Sequence, residues 1–246
     1  MRYSYLNLYR PGAGRFSGNP PYGYRSGAAP LYTRYPLGEP PAPTQQPSPV
    51  FRFDGSAGCL LPPIVSQSIL RQAIVQACRM ALNAAHKLEA NPRDSVTVNS
   101  FRSIFGHDPA QPLPWPRIND SGTRFAIRFR SVEQALLKAG TLYRCDPCTA
   151  QSRYEINAPT IILDVHAMAI PPNEVRLCPS FWSLPPLLQA GVVLHEMFHL
   201  RFDPCFAHDA TETKRTNAYC YEAFALSFTS QKPEPLTIQK CSASPP

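Results

Sequence analysis

Two histidines and one glutamate form the pattern in this chain that is best suited to chemistry. His195, Glu196 and His199 make an H-E-x-x-H sequence within an apolar run. If that run is helical, the two imidazoles lie one turn apart on the same face and can bind one Zn²⁺ ion. Glu196 then lies beside the metal, where its carboxylate can take a proton from a zinc-bound water. The spacing therefore predicts a zinc site with its own general base.

The residues around this motif predict the helix that would position it. Apolar side chains surround the histidines: Leu187, Leu188, Ala190, Val192, Val193, Leu194 and Leu200. This composition is typical of a core helix, which we expect to run from about Pro185 to Arg201. Accidental spacing of two core histidines is the alternative, but the chain has only six histidines, so zinc is the working hypothesis.

Apolar periodicity elsewhere predicts a fold in which helices precede and follow a small sheet. We expect further helices at 66–90, 96–105, 124–139 and 213–228, and strands at 142–145, 160–165 and 174–177. The segment 125–129 taken alone would also fit a strand. Gly106 and Gly140 are expected to end the helices before them. With the metal helix packed on the sheet, this order predicts an α+β, zincin-like fold.

The two ends of the chain have a different composition from the predicted domain at 50–232. Residues 1–49 hold ten of the 29 prolines and seven of the eleven tyrosines, with few aliphatic side chains. Proline interrupts helices and strands, so this segment is predicted to be a disordered leader. Its five arginines and one glutamate contribute +4 of the formal net charge of +7. Residues 233–246 are expected to form a flexible tail.

The same composition limits the partners we expect. A basic, tyrosine-rich leader could contact nucleic acid, acidic polysaccharide or a membrane surface, but a solvated tail explains it more simply. No specific nucleic-acid partner is therefore expected. No stretch is long and apolar enough to span a bilayer. We expect a monomer.

The eight cysteines indicate the redox environment in which the protein functions. An even number in a domain of this size favours disulfides and an oxidising destination. Cys145 and Cys148 form a C-x-x-C that could alternatively bind metal or act in redox chemistry. The N-terminus lacks the apolar region and cleavage site of a secretory signal peptide. We therefore expect secretion by a route without a recognisable signal, or an N-terminus that is wrongly assigned.

Several short segments occur in an order that resembles a known family. They are Cys59, Ile104-Phe105-Gly106, Cys145 and Cys148, Val175 to Trp182, the H-E-x-x-H motif, and Asn217 to Phe224. This order resembles the deuterolysin family of zinc endopeptidases (the aspzincins), especially its lysine-specific metallo-endopeptidase branch, over about residues 55–230. The resemblance implies a zinc enzyme that hydrolyses protein or peptide substrates. It also implies the disulfides Cys59–Cys145 and Cys148–Cys178. Cys205 and Cys220 are a candidate third pair.

The resemblance leaves the third zinc ligand open between several residues. In the family this ligand is an aspartate about ten residues after the second histidine, which implies Asp209 here. His208 is a good ligand chemically and is its nearest rival, and Glu222 resembles the distant glutamate ligand of thermolysin-like enzymes. Asp203 is too near the second histidine and is expected to cap a turn.

Three further residues receive roles by the same comparison. The family's oxyanion tyrosine is replaced by Glu212, so Tyr219 or Tyr221 is expected to supply the phenol, with a core aromatic as the alternative for both. Glu222 is expected to bind a lysine side chain of the substrate. Because Tyr219 replaces the first acid of that pocket and Glu222 stands where the second would lie, we expect a weaker preference for lysine after the cut than in the relatives.

Three functions fit these residues. The first is a zinc metalloendopeptidase with Glu196 as the general base. The second is a zincin-fold effector or binding domain that has lost most of its turnover. The third is a zinc hydrolase of a non-peptide amide, such as cell-wall material. The presence of Glu196 argues against the second, because a structural zinc site needs no base.

Overall fold

The computed structural model describes residues 49–56, 59–112, 120–138, 140–148, 166–202 and 214–243. All of them belong to one compact unit, Gln46–Pro246. Within the described ranges the chain forms an α+β fold. Residues 1–48 of the predicted leader and the predicted strand at 160–165 lie outside these ranges, as do Asp203, Cys205, His208, Asp209 and Glu212.

Six α-helices occur in the described ranges. They are α1 (Pro63–Glu89), α2 (Ser95–Phe105), α3 (Ser121–Lys138), α4 (Pro186–Phe202), α5 (Ala218–Leu226) and α6 (Pro235–Ala243). The first four match the predicted helices to within a few residues. The strand alternative for 125–129 is wrong, since that segment lies inside α3. Gly106 ends α2 with a φ of 77°, a left-handed conformation that glycine adopts without strain.

Four short strands make one mixed sheet in the order β1-β2-β4-β3. They are β1 (Phe51–Asp54), β2 (Thr141–Cys145), β3 (Ala167–Ile170) and β4 (Glu174–Leu177). β1 and β4 each pair with β2 in parallel, and β3 pairs with β4 in antiparallel register, with Ala169 opposite Val175. A 3-10 helix, Pro179–Ser183, leads from β4 to α4. The sequence predicted β2 and β4 but not β1 and β3.

Helix α4 lies at the centre of the fold. Every residue from Leu188 to His199 is buried, and the helix contacts α1, α3, α5 and β3. A helix with apolar residues on all sides is stable only when other elements surround it. Phe129 of α3 and Phe198 of α4 meet edge-on, with ring centroids 5.4 Å apart, and the ring of Phe224 on α5 lies 5.9 Å from that of Phe129. The motif is therefore held in a rigid aromatic core.

The C-terminal end of the chain differs from the prediction. The expected flexible tail at 233–246 contains α6, in which Thr237 and Cys241 are buried. Cys241 forms a disulfide with Cys220 of α5, so the predicted Cys205–Cys220 pair is wrong. Sequence position suggested fraying, but the disulfide and the packing against α5 hold this segment as a helix. The last long helix is also shorter than expected, because α5 starts only at Ala218, after a turn at 214–216.

Two other disulfides agree with the prediction. Cys59 is bonded to Cys145 and Cys148 to Cys178, which excludes the redox or metal alternative for the C-x-x-C. Cys78 is a free, buried thiol in α1. In the described ranges, no helix is both long and apolar enough to cross a membrane.

Candidate metal centre

The two histidines of the motif are brought together by α4. The Nε2 atoms of His195 and His199 lie 3.2 Å apart, and both side chains are buried. For zinc–nitrogen bonds of about 2.0–2.1 Å, that separation gives an N–Zn–N angle of about 100°, close to tetrahedral. The separation of the two Nε2 atoms is therefore compatible with both binding one zinc ion.

The other nitrogen of His195 faces a carboxylate, which favours one tautomer of its neutral imidazole. Its Nδ1 lies 3.1 Å from Oε2 of Glu222 on α5, and both side chains are almost completely buried. An ionised carboxylate can only accept, so Nδ1 carries the hydrogen and donates it. Nε2 of a neutral His195 then presents its lone pair towards His199. This tautomer is the one that a zinc ligand needs.

Glu196 lies beside the histidines with a different set of contacts. Its carboxylate lies near the backbone of Ala169 in β3, which acts to lower its pKa. Burial raises the pKa of Glu196 above its usual value, and the nearby charge of Glu222 adds to this rise, while His195 and the Ala169 backbone oppose it. A carboxylate with a raised pKa accepts protons more readily, which is what a general base requires.

The two candidate tyrosines occupy different environments. The ring of Tyr219 lies 4.3 Å from that of His195, centroid to centroid, so its side chain is next to the histidines. Tyr221 is fully buried, stacks on Phe125 and donates its hydroxyl hydrogen to the carbonyl of Arg215 at 2.9 Å. The catalytic role expected of Tyr221 does not fit this position. It is a core aromatic, and burial raises its pKa.

Glu222 also has a different position from the one expected. Its Oε2 contacts His195 and its Oε1 accepts a hydrogen bond from Thr237 at 3.3 Å, and only 3% of the residue is exposed. With both oxygens engaged in the interior, it cannot receive a lysine side chain of a substrate. Nor can it be the third ligand, because it contacts the Nδ1 side of His195, away from Nε2. The geometry instead makes it the partner of that imidazole.

The third ligand is not resolved by the described part of the chain. In those ranges, no group of three histidine, cysteine, aspartate or glutamate side chains converges with a geometry that would hold a metal. Asp209 and His208 lie outside them. The structure therefore provides two imidazoles, and Asp209 stays a prediction with His208 as its rival.

Three contributors to the site were not predicted from the sequence. Ala169 acts through its backbone, and Thr237 reaches the site from a segment expected to be flexible. Gly191 of α4 lies against Glu222: a Cβ atom there would be 3.3 Å from Glu222 Oε1 and 3.2 Å from Leu226. Of these three, only Gly191 could have been identified from the sequence, because a glycine within a strongly apolar helix indicates that a neighbouring side chain approaches closely.

The chain was compared with protein families and with individual proteins. No family model matches it. A search of curated proteins gives no significant match. The functional argument therefore depends on the residues and their geometry.

Proposed function

We propose that this protein is a zinc-dependent metalloendopeptidase with a zincin-like fold. The observation that carries the proposal is the pair of buried Nε2 atoms 3.2 Å apart, with the buried carboxylate of Glu196 next to them in the chain. A structural zinc site has no use for such a carboxylate, and it is usually closed by four protein ligands. The described cysteines do not supply them, because six are in disulfides and Cys78 lies in α1.

His195 and His199 hold the metal, and Asp209 completes the protein ligands. Zinc, when bound, supplies a Lewis acid for the scissile carbonyl and acidifies an attacking water. The three-ligand set leaves a position for water and substrate. Tyr219, adjacent to His195, is the candidate for a phenol that stabilises the developing oxyanion.

Glu196 moves the proton during the reaction. Its carboxylate takes a proton from the attacking water as the oxygen–carbon bond forms, and passes it to the nitrogen of the leaving amine as the carbon–nitrogen bond breaks. Burial raises the pKa of Glu196, which favours the proton-accepting half of this cycle.

The enzyme is expected to work as a monomer outside the cell. The three disulfides support an oxidising compartment. Since Glu222 is buried, we no longer expect it to give a preference for lysine after the cut. Specificity would have to come from other residues.

One experiment tests the proposal. The purified full chain, prepared without chelators, should contain about one zinc ion per molecule by elemental analysis. It should cleave a denatured protein, a chelator should stop the cleavage, and Glu196→Gln should retain zinc but lose activity by roughly 100-fold or more. His195→Ala should lose the metal.

Other outcomes would contradict it in different ways. Absence of zinc from the wild-type protein would exclude the metal site. Zinc without cleavage of any protein or peptide would favour the effector domain or the hydrolase of a non-peptide amide. Glu196→Gln with wild-type activity would mean that another group is the base.

A further inference from the structure

The C-terminal helix α6 reaches the candidate metal centre through a chain of hydrogen bonds. Thr237 Oγ1 on α6 donates to Glu222 Oε1 at 3.3 Å, and His195 Nδ1 donates to Glu222 Oε2 at 3.1 Å. All three side chains are buried, with exposures of 3% for Thr237 and Glu222 and 4% for His195. Bulk water therefore cannot easily replace either bond.

Both oxygens of Glu222 need a partner for its orientation to be fixed. The terminal torsion of a glutamate is broad, so one hydrogen bond alone leaves the carboxylate free to rotate. Thr237 holds the second oxygen and so directs Oε2 towards Nδ1. Gly191 leaves the space for this arrangement, because a Cβ there would come within 3.3 Å of Oε1.

The position of Thr237 is in turn fixed by α6. The Cys220–Cys241 disulfide joins α6 to α5, the helix that carries Glu222. A second link is the hydrogen bond from Asn217 Nδ2 to the carbonyl of Lys240, at 3.1 Å. Both links lie just before Glu222, at the N-terminal end of α5, and they fasten the C-terminal part of α6, the helix that carries Thr237, to that end.

We propose that Thr237 and Glu222 are positioning residues, through which α6 holds His195 in the Nδ1–H tautomer, in which Nε2 carries the lone pair that a metal needs. This inference rests on the proposed zinc function for its biological meaning, but the tautomer itself can be measured without metal. Partners of this type in metal sites contribute about 10- to 100-fold to metal affinity.

The test compares zinc affinity and tautomer in the full-length protein. Zinc affinity is measured by competition with a chromophoric chelator, and the His195 tautomer by side-chain ¹⁵N shifts in the metal-free protein. Thr237→Val should weaken zinc binding by about 3-fold or more and Glu222→Gln by about 10-fold, and both should increase the Nε2–H tautomer. Thr237→Ser, which restores a hydroxyl, should return both readouts towards wild type.

A matched control separates positioning from general stability. Thr229 is a partly buried threonine after α5 whose hydroxyl bonds the carbonyl of Leu226 at 2.9 Å. Thr229→Val should change neither zinc affinity nor the tautomer. If Thr237→Val does not fold, Thr237→Ala and Thr237→Ser give the same comparison.

The outcomes distinguish the inference from the proposed function. Wild-type affinity and tautomer in Thr237→Val or Thr237→Ala would overturn the positioning role. Equal losses in Thr229→Val would also overturn it, because the effect would then be one of stability. A wild-type protein that binds no zinc would remove the proposed function, whereas the tautomer measurement would still decide whether Thr237 acts on His195.

Discussion

At the scale of single residues, two buried glutamates have different neighbours and are therefore suited to different roles. Each carboxylate oxygen of Glu222 accepts a hydrogen bond from a side chain, one from His195 and one from Thr237, so Glu222 can orient His195. The pKa of Glu196 is raised by burial and by the charge of Glu222. Two glutamates on adjacent helices thus serve as an orienting acceptor and as a candidate base.

Cys78 shows the effect of burial on a thiol. Burial raises the pKa of Cys78 to about 12, and the charge of Glu133 adds to the rise. Because the thiolate is the reactive form, iodoacetamide at pH 8 should leave Cys78 unlabelled in the folded protein. The same reagent in urea, without reductant, should label it. Peptide mass spectrometry checks both, and rapid labelling of Cys78 in the folded state would contradict the prediction.

The pKa of Asp94 is shifted downwards, by hydrogen bonds, and this makes the stability of the protein depend on pH. Hydrogen bonds from Lys87 and from the backbone N–H of Thr97 lower the pKa of Asp94 to about 2, below the value of about 3.9 in an unfolded chain. A lowered folded-state pKa gives stability that is present above about pH 4 and is lost as the pH falls towards 2.

Substitution of this cap should therefore have an effect that depends on pH. Asp94→Ala should lower the melting temperature at neutral pH, and the difference from wild type should shrink below about pH 4. Asp94→Asn keeps an acceptor for the backbone N–H of Thr97 and should lower the melting temperature less than Asp94→Ala does. Thermal unfolding from pH 2 to 7 measures this, and a difference that does not change with pH would contradict it.

At the scale of elements, helices are held by cross-links that join distant parts of the chain. Cys220–Cys241 spans 21 residues and joins α5 to α6, whereas Cys59–Cys145 spans 86 residues and joins the segment before α1 to β2. A longer closed loop removes more entropy from the unfolded chain. The second disulfide is therefore expected to contribute more stability.

Removing each pair of cysteines tests which of the two disulfides contributes more stability. Cys220→Ala with Cys241→Ala should lower the free energy of unfolding by about 3 kcal/mol, and Cys59→Ala with Cys145→Ala by about 4–5 kcal/mol. Urea denaturation of the two double variants measures both values. A larger loss for the shorter loop would mean that packing of α6, and not chain entropy, dominates its contribution.

At the scale of the whole molecule, the described core starts close to residue 49. β1 pairs with β2 from Phe51 onwards, with Phe51 opposite Thr141. Residues 1–48 have too few aliphatic side chains to be expected in that core.

Two truncations test where the stable unit begins. Deletion of residues 1–48 should leave the melting temperature and the zinc content nearly unchanged. Deletion of residues 1–54 removes β1 as well and should lower the melting temperature markedly, since β2 then loses a neighbour. Calorimetry and elemental analysis measure the melting temperature and the zinc content of both. A large fall in melting temperature on deletion of residues 1–48 would mean that the leader belongs to the folded unit.

Local information in the sequence determined most of the helices and the position of the histidines. α1 to α3 follow apolar periodicity, α4 follows a continuous apolar run, and α2 ends at Gly106, because such signals lie within a few residues of one another. His195 and His199 share one face for the same reason, as any helix with this spacing places them one turn apart.

Contacts between distant segments decided the rest. β1 and β3 lie at the two edges of the sheet, and each is held there by pairing with a strand that is distant in the sequence or reached through a turn, β2 and β4 respectively. The roles of Tyr221 and Glu222 likewise depend on which helices pack against α5. The Cys220–Cys241 bond turned an expected tail into α6 and brought Thr237 to the metal centre. Such pairings depend on which segments meet in space, and a local pattern in the sequence does not contain that information.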